Sequence, residues 1–199
     1  AAPEPTDEIA VYEPTTLSLQ AYKNPPAAIS FAPMIGFSHG YFSVRFQSAF
    51  LMEHLASHGF ATVAVDHVHN TMFDFDDDLT GQVLLERPDD LRYAIQEARH
   101  RSANREGVLG EVLDRGEYAV MGHSFGSHTA MVLGGGRLDY SGFLDYCSEN
   151  SSERACQYSE QISPEDVYQH GDDDPLAITT IPMSPGLWYT FGEEGVGLS

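Results

Sequence analysis

Short apolar runs alternate along this chain with stretches whose apolar residues recur at helical spacing. Residues 32–38 form an apolar run that predicts a short buried strand ending at Ser38-His39-Gly40. Phe46, Phe50, Leu51 and Leu55 then follow at helical spacing, which predicts a helix over 44–58 stopped by Gly59. Residues 61–65 are continuously apolar, as in a parallel-sheet strand. A long polar loop with aromatics covers 66–81. Pro88 opens the next predicted helix, whose apolar face is Leu91, Ile95 and Ala98. A strand over 119–121 leads to a helix over 127–133 that ends at Gly134-Gly135-Gly136, and 178–183 is a further strand broken by Pro182. Near the start, 1–8 is expected to be a loose arm, 11–19 an edge strand and Asn24-Pro25-Pro26 a turn. Strands alternating with helices predict an α/β fold with a mostly parallel sheet flanked by helices, one domain over 1–199. Ligands of such sheets bind beyond the carboxyl ends of the strands. There the pattern collects Ser38 to Tyr41, Asp66-His67, Ser124, and the segment from Ser184 to Tyr189.

One strand end carries a specific motif. Gly122-His123-Ser124-Phe125-Gly126 follows the apolar run Tyr118-Ala119-Val120-Met121 and precedes small residues. A G-x-S-x-G between a buried strand and a helix is the nucleophile-elbow pattern, which lifts a serine oxygen above the sheet. The glycines are expected to permit both the strained turn and close approach of neighbouring backbone. Phosphate binding at this turn is disfavoured, because no Lys-Ser or Lys-Thr follows the glycines.

Composition narrows the partners. Among 199 residues, 30 are acidic and 10 basic, for a net charge of −20. Nucleic acid and anionic membranes need a basic footprint, so neither is expected as a partner. No apolar run approaches bilayer-spanning length. Asp76-Asp77-Asp78 and Asp172-Asp173-Asp174 could offer oxygen ligands to calcium but lack the spacing of a calcium loop, which leaves calcium a minor alternative, and His67 and His69 lack a third ligand, so the main expectation is no metal and no other cofactor. The start, Ala1-Ala2-Pro3, reads as a processed end. Cys147 and Cys156 lie in a polar stretch over 145–163; with that start they predict a disulfide and a secreted or periplasmic protein.

Four segments together resemble the α/β-hydrolases, in the branch of platelet-activating-factor acetylhydrolases, dienelactone-hydrolase-like proteins and polyester hydrolases. They are Phe37-Ser38-His39-Gly40, the stretch from Leu55 through His67, Glu86-Arg87-Pro88-Asp89-Asp90, and the elbow with Ser127. The resemblance covers about 32–188 and implies a carboxylic ester hydrolase acting on short-chain, lipid-like or polyester substrates. It makes Ser124 the nucleophile and the backbone N–H groups of Tyr41 and Phe125 the oxyanion hole, where losing one donor costs roughly 3 kcal/mol. His39 would hold the loop. Phe42, Trp188 and Tyr189, with Tyr41 and Phe125, are expected to wall the ester pocket.

The chain departs from that pattern at the acid and the base. The family order is Ser, then acid, then His. Of the histidines, His128 lies a helical turn past Ser124 and points away, His123 faces neighbouring strands, and His170 has no family counterpart. Ser184-Pro185-Gly186 occupies the place of an acid, and Glu193 and Glu194 read as a solvated turn. A serine without a base is a poor nucleophile. The chain alone is therefore expected to be nearly inactive, its acid and histidine supplied by a second polypeptide cut from the same precursor after Ser199. The competing expectation is a binding protein with the elbow but no catalysis.

Overall fold

The computed structural model describes residues 9–12, 15–17, 21, 30–110, 112–164, 175–192 and 196–198. The expected arm over 1–8, the turn at 24–26, His170, Asp172 to Asp174 and Glu193-Glu194 lie outside the described residues. The fold is α/β. Four parallel strands, β3 (Ala32–Ser38), β4 (Ala61–Ala64), β5 (Leu113–His123) and β6 (Ala177–Met183), form one sheet in the order β4-β3-β5-β6. The N-terminal segment is not an edge of this sheet. It folds into an antiparallel pair of its own, β1 (Ile9–Tyr12) and β2 (Thr15–Leu17).

Side chains on successive strand residues point to opposite faces, and the core divides accordingly. Met34, Tyr118 and Val120 pack with Leu91, Ile95 and Ala98 of α2 (Thr80–Ala103) and Ala130 and Leu133 of α3 (Phe125–Leu133). Ile35, Phe37 and Met121 face the other way, against Leu51, Met52 and Leu55 of α1 (Ala49–Ser57). A third cluster joins Leu84, Phe125, Phe143 and Tyr189 with both cysteines. It carries α4 (Tyr140–Glu149) and the short helix Ala155–Gln161.

Several boundaries differ from the sequence expectations. The first helix starts at Ala49, five residues late, and Phe50 is 74% exposed, so its place in the helical pattern misled. Pro88 does not open α2 but sits inside it, eight residues past Thr80. The helix starts earlier because Leu84 and Leu85 are buried in the third cluster, and that packing outweighs the amide bond lost at proline. Pro182 does not break β6, for it pairs with Gly122 in a strand whose other side has no described neighbour. An edge strand tolerates the missing amide. The stretch over 145–163 is not a polar loop: it is mostly helical, and both cysteines are buried there. The predicted disulfide is formed, joining Cys147 to Cys156 with Cα atoms 5.2 Å apart. No described helix is long and apolar enough to cross a membrane.

Candidate active site

β5 delivers His123 and α3 begins at Phe125, so Ser124 occupies the single residue between strand and helix. That residue carries the turn's strain, with φ 53° and ψ −116°. The sequence had assigned the strained turn to the glycines, but neither Gly122 nor Gly126 has a positive φ. Their need is space. A Cβ on Gly122 would stand 1.8 Å from the Gly126 carbonyl oxygen, and one on Gly126 would stand 2.0 Å from that of Ser38. The elbow is tied to the end of β6: the Ser124 N–H donates to the Met183 carbonyl at 2.9 Å, and the Gly186 N–H donates to the Ser124 carbonyl at 3.2 Å.

Ser124 opens into a pocket of about 280 Å³ walled by Tyr41, Leu84, Phe125, Arg154, Leu187 and Tyr189, with Thr80, Glu153, Ala155 and Gly186. Three of the expected wall residues, Tyr41, Phe125 and Tyr189, are there. Phe42 and Trp188 are not. Phe42 has φ 53°, is 48% exposed and packs edge-on against Phe75. Trp188 is also 48% exposed and lies edge-on to Tyr146 and Tyr189 on the outer side. Residue type alone does not reveal the exposure of either ring. The sequence reading missed Arg154, whose Nη1 donates to the Tyr41 hydroxyl and to Asp77 Oδ1, each at 2.8 Å, with its Cζ 4.7 Å from the Tyr41 ring centre. The Tyr41 hydroxyl also donates to Asp77. This contact spans more than a hundred residues of sequence, and no local pattern marks it.

The loop before Tyr41 is held from below. The His67 backbone N–H donates to His39 Nε2 at 3.2 Å, so the His39 proton lies on Nδ1, where it donates to the Gly40 carbonyl at 2.7 Å. The Gly40 carbonyl and the Tyr41 N–H belong to one planar peptide unit, so fixing the first orients the second. Gly40 N–H donates to Gln47 Oε1 at 2.7 Å, and Gln47 Nε2 donates to His123 Nδ1 at 2.8 Å. Burial, with the Arg87 charge adding to it, lowers the pKa of His39 to about 4.

A second chain of hydrogen bonds lies beneath. Arg87 Nη2 donates to Ser38 Oγ at 2.9 Å, so the Ser38 hydrogen goes to His67 Nε2, also at 2.9 Å. His67 then carries its proton on Nδ1 and donates it to Asp90 Oδ2 at 2.9 Å. His67 is fully buried and burial holds its pKa well below the usual value, so this contact joins a neutral ring to a carboxylate. His69 is exposed, so the His-x-His pair does not converge, and no group of three or more metal-ligating residues forms among the described residues.

No described histidine or carboxylate hydrogen-bonds the Ser124 hydroxyl. His128 is fully buried between Phe125 and Phe191, both its nitrogens lack partners among the described residues, and burial lowers its pKa to about 3. It is no base at neutral pH.

Solved structures similar to the chain include a ferulic acid esterase from Streptomyces cinnamoneus, at 26% identity and a TM-score of 0.44 over 57% of this chain and 35% of that one. They also include AbyA5, at 16% identity and a TM-score of 0.39 over 78% of this chain and 49% of that one. The chain thus spans half or less of either. No family model and no curated protein matches it.

Proposed function

We propose that this chain carries the nucleophile of a serine hydrolase of the α/β-hydrolase type that acts on carboxylic esters. The observation that carries the reading is Ser124 itself: a non-glycine residue held at positive φ between a strand and a helix, facing a pocket of about 280 Å³. Strain of this kind persists only where the surroundings enforce it, and it clusters at functional sites. In the proposed reaction Ser124 Oγ bonds to the ester carbonyl carbon as a base takes its proton. The tetrahedral oxyanion accepts hydrogen bonds from the Tyr41 and Phe125 N–H groups. The alcohol leaves with that proton, and water then releases the acid from the acyl-enzyme. The largely apolar wall of Leu84, Phe125, Leu187 and Tyr189 suits an apolar acyl or alcohol group.

The acid and base of this reaction are assigned to residues outside those described, docking beside β6. Ile178 and Ile181 on that strand are 58% and 37% exposed, and its outer side is unpaired among the described residues. The buried Cys147–Cys156 bond supports an oxidising compartment, hence secretion or the periplasm. The lack of a described base on Ser124 favours a second reading, a binding protein without catalysis. A fluorophosphonate probe separates the two: the hydrolase reading requires an adduct on Ser124 that disappears in Ser124→Ala. Absence of any adduct from the folded particle, with every accompanying chain present, would leave only the binding reading.

A further inference from the structure

Arg87 is the largest fully buried side chain among the described residues. Its hydrogen-bond acceptors are all neutral, and they sit on three separate segments. Nε donates to Thr129 Oγ1 on α3 at 3.2 Å, Nη1 to Asn70 Oδ1 in the loop after β4, and Nη2 to both Ser38 Oγ and the His39 carbonyl at the end of β3. The guanidinium carbon also lies 4.5 Å from the centre of the Phe125 ring. A charge buried in this way is costly, and even buried ion pairs are often replaced by apolar side chains of similar volume without loss of stability. What an apolar residue does not supply is a planar fork of donors able to grip several backbone and side-chain oxygens together.

The gripped segments lead to the two proposed oxyanion donors. Residues 38–40 run directly into Tyr41, and α3 starts at Phe125. Close packing at Gly126 presses the same two segments together, the space a Cβ would need there being taken by the Ser38 and His39 carbonyls. Behind them, the Asp90–His67–Ser38 chain fixes the oxygen that Arg87 holds.

We propose that Arg87 is a positioning residue of the Ser124 site: its buried guanidinium locks the turn leading into Tyr41 to the helix beginning at Phe125, braced through Ser38 by His67 and Asp90. The kinetic consequence rests on the hydrolase reading, whereas the structural consequence does not.

The test is amide hydrogen exchange in Arg87→Lys and Arg87→Met, with Arg101→Met as the comparison, an exposed arginine on the same helix. Amides over 38–42 and 124–128 are expected to exchange about tenfold faster or more in both Arg87 variants. Those of Ile35 and Val120 in the sheet, and all amides in Arg101→Met, stay unchanged. Lysine behaves like methionine here, since a point charge does not span three segments. Unchanged exchange at the two segments, restoration by lysine, or equal acceleration throughout the sheet each overturns the proposal. Should the Arg87 variants not fold, Ser38→Ala removes one acceptor and the brace; it must accelerate the same two segments, or the proposal fails. Where fluorophosphonate labels Ser124, labelling at saturating probe slows by about 10- to 100-fold in Arg87→Lys, with the half-saturating concentration within about twofold. A rise in half-saturation with no change in maximal rate overturns it. If the unaltered protein, with every accompanying chain present, does not label at all, the hydrolase reading falls while the exchange pattern still decides the role of Arg87.

Discussion

Replacing Ser124 by glycine is expected to stabilise this protein relative to replacing it by alanine, the reverse of the usual order. Ser124 has φ 53° and ψ −116°, a conformation that costs a residue with a Cβ about 1–3 kcal/mol. Alanine removes the hydroxyl and keeps that cost. Glycine removes both, but it gains freedom in the unfolded chain worth about 0.4–1 kcal/mol. The hydroxyl makes no hydrogen bond to a described residue, so its loss is common to both variants and cancels. The Ser124→Gly protein should therefore exceed Ser124→Ala by about 1 kcal/mol. That difference is read as the urea midpoint at equal slope, or as a melting shift of about 2–4 °C for a chain of this length. Ser148, inside α4, supplies the opposite sign: there glycine should fall below alanine by about 1 kcal/mol. If Ser124→Gly proves no more stable than Ser124→Ala while Ser148 behaves as stated, the elbow is not strained and the main support for the nucleophile reading is gone.

Three further outcomes follow from packing and protonation. Gly126→Ala drives a methyl into the Ser38 carbonyl, 2.0 Å from an ideal Cβ, and should cost about 3 kcal/mol or more in urea unfolding; a loss below 1 kcal/mol contradicts the close approach. Reducing the Cys147–Cys156 bond, which closes a span of nine residues, should lower stability by about 2–3 kcal/mol, and an unchanged midpoint in reductant counts against it. His128 has a pKa of about 3 when folded against 6.5 when unfolded, so the unfolded chain binds the extra proton between those values. Stability should therefore fall as pH drops through that window, by about 1.4 kcal/mol per pH unit from this residue. His128→Leu should remove that slope and gain most over the parent near pH 4, less toward pH 8; parallel pH curves for the two proteins would refute the assignment.

The elbow was legible because each of its parts is local: an apolar strand, a serine flanked by glycines, and small residues opening a helix. The parallel sheet was legible for the same reason, since 32–38 and 61–65 are continuous apolar runs. Boundaries were read less well where distant packing outweighs a local signal. Pro88 looked like a helix start, but Leu84 and Leu85 bind the preceding two turns into the third core cluster. Phe143 and Cys147 stand four apart on α4, a helical signal hidden by the acids and serines around them. The pocket wall was only half legible. Tyr41, Phe125 and Tyr189 follow from their places at strand ends, whereas Arg154 arrives from a segment with no motif, and residue type does not reveal the exposure of Phe42.

The histidine tautomers beneath the site have a spectroscopic consequence. His39 and His67 each hold a ring N–H in a hydrogen bond of 2.7 and 2.9 Å, and neither side chain is exposed to solvent. Such protons trade slowly with water, so they should persist as separate resonances in a proton spectrum recorded in ordinary buffer. The His39 signal reports on the very peptide unit that carries the Tyr41 N–H. A molecule settling against that amide would move one line of a spectrum, and so announce itself before any turnover is measured.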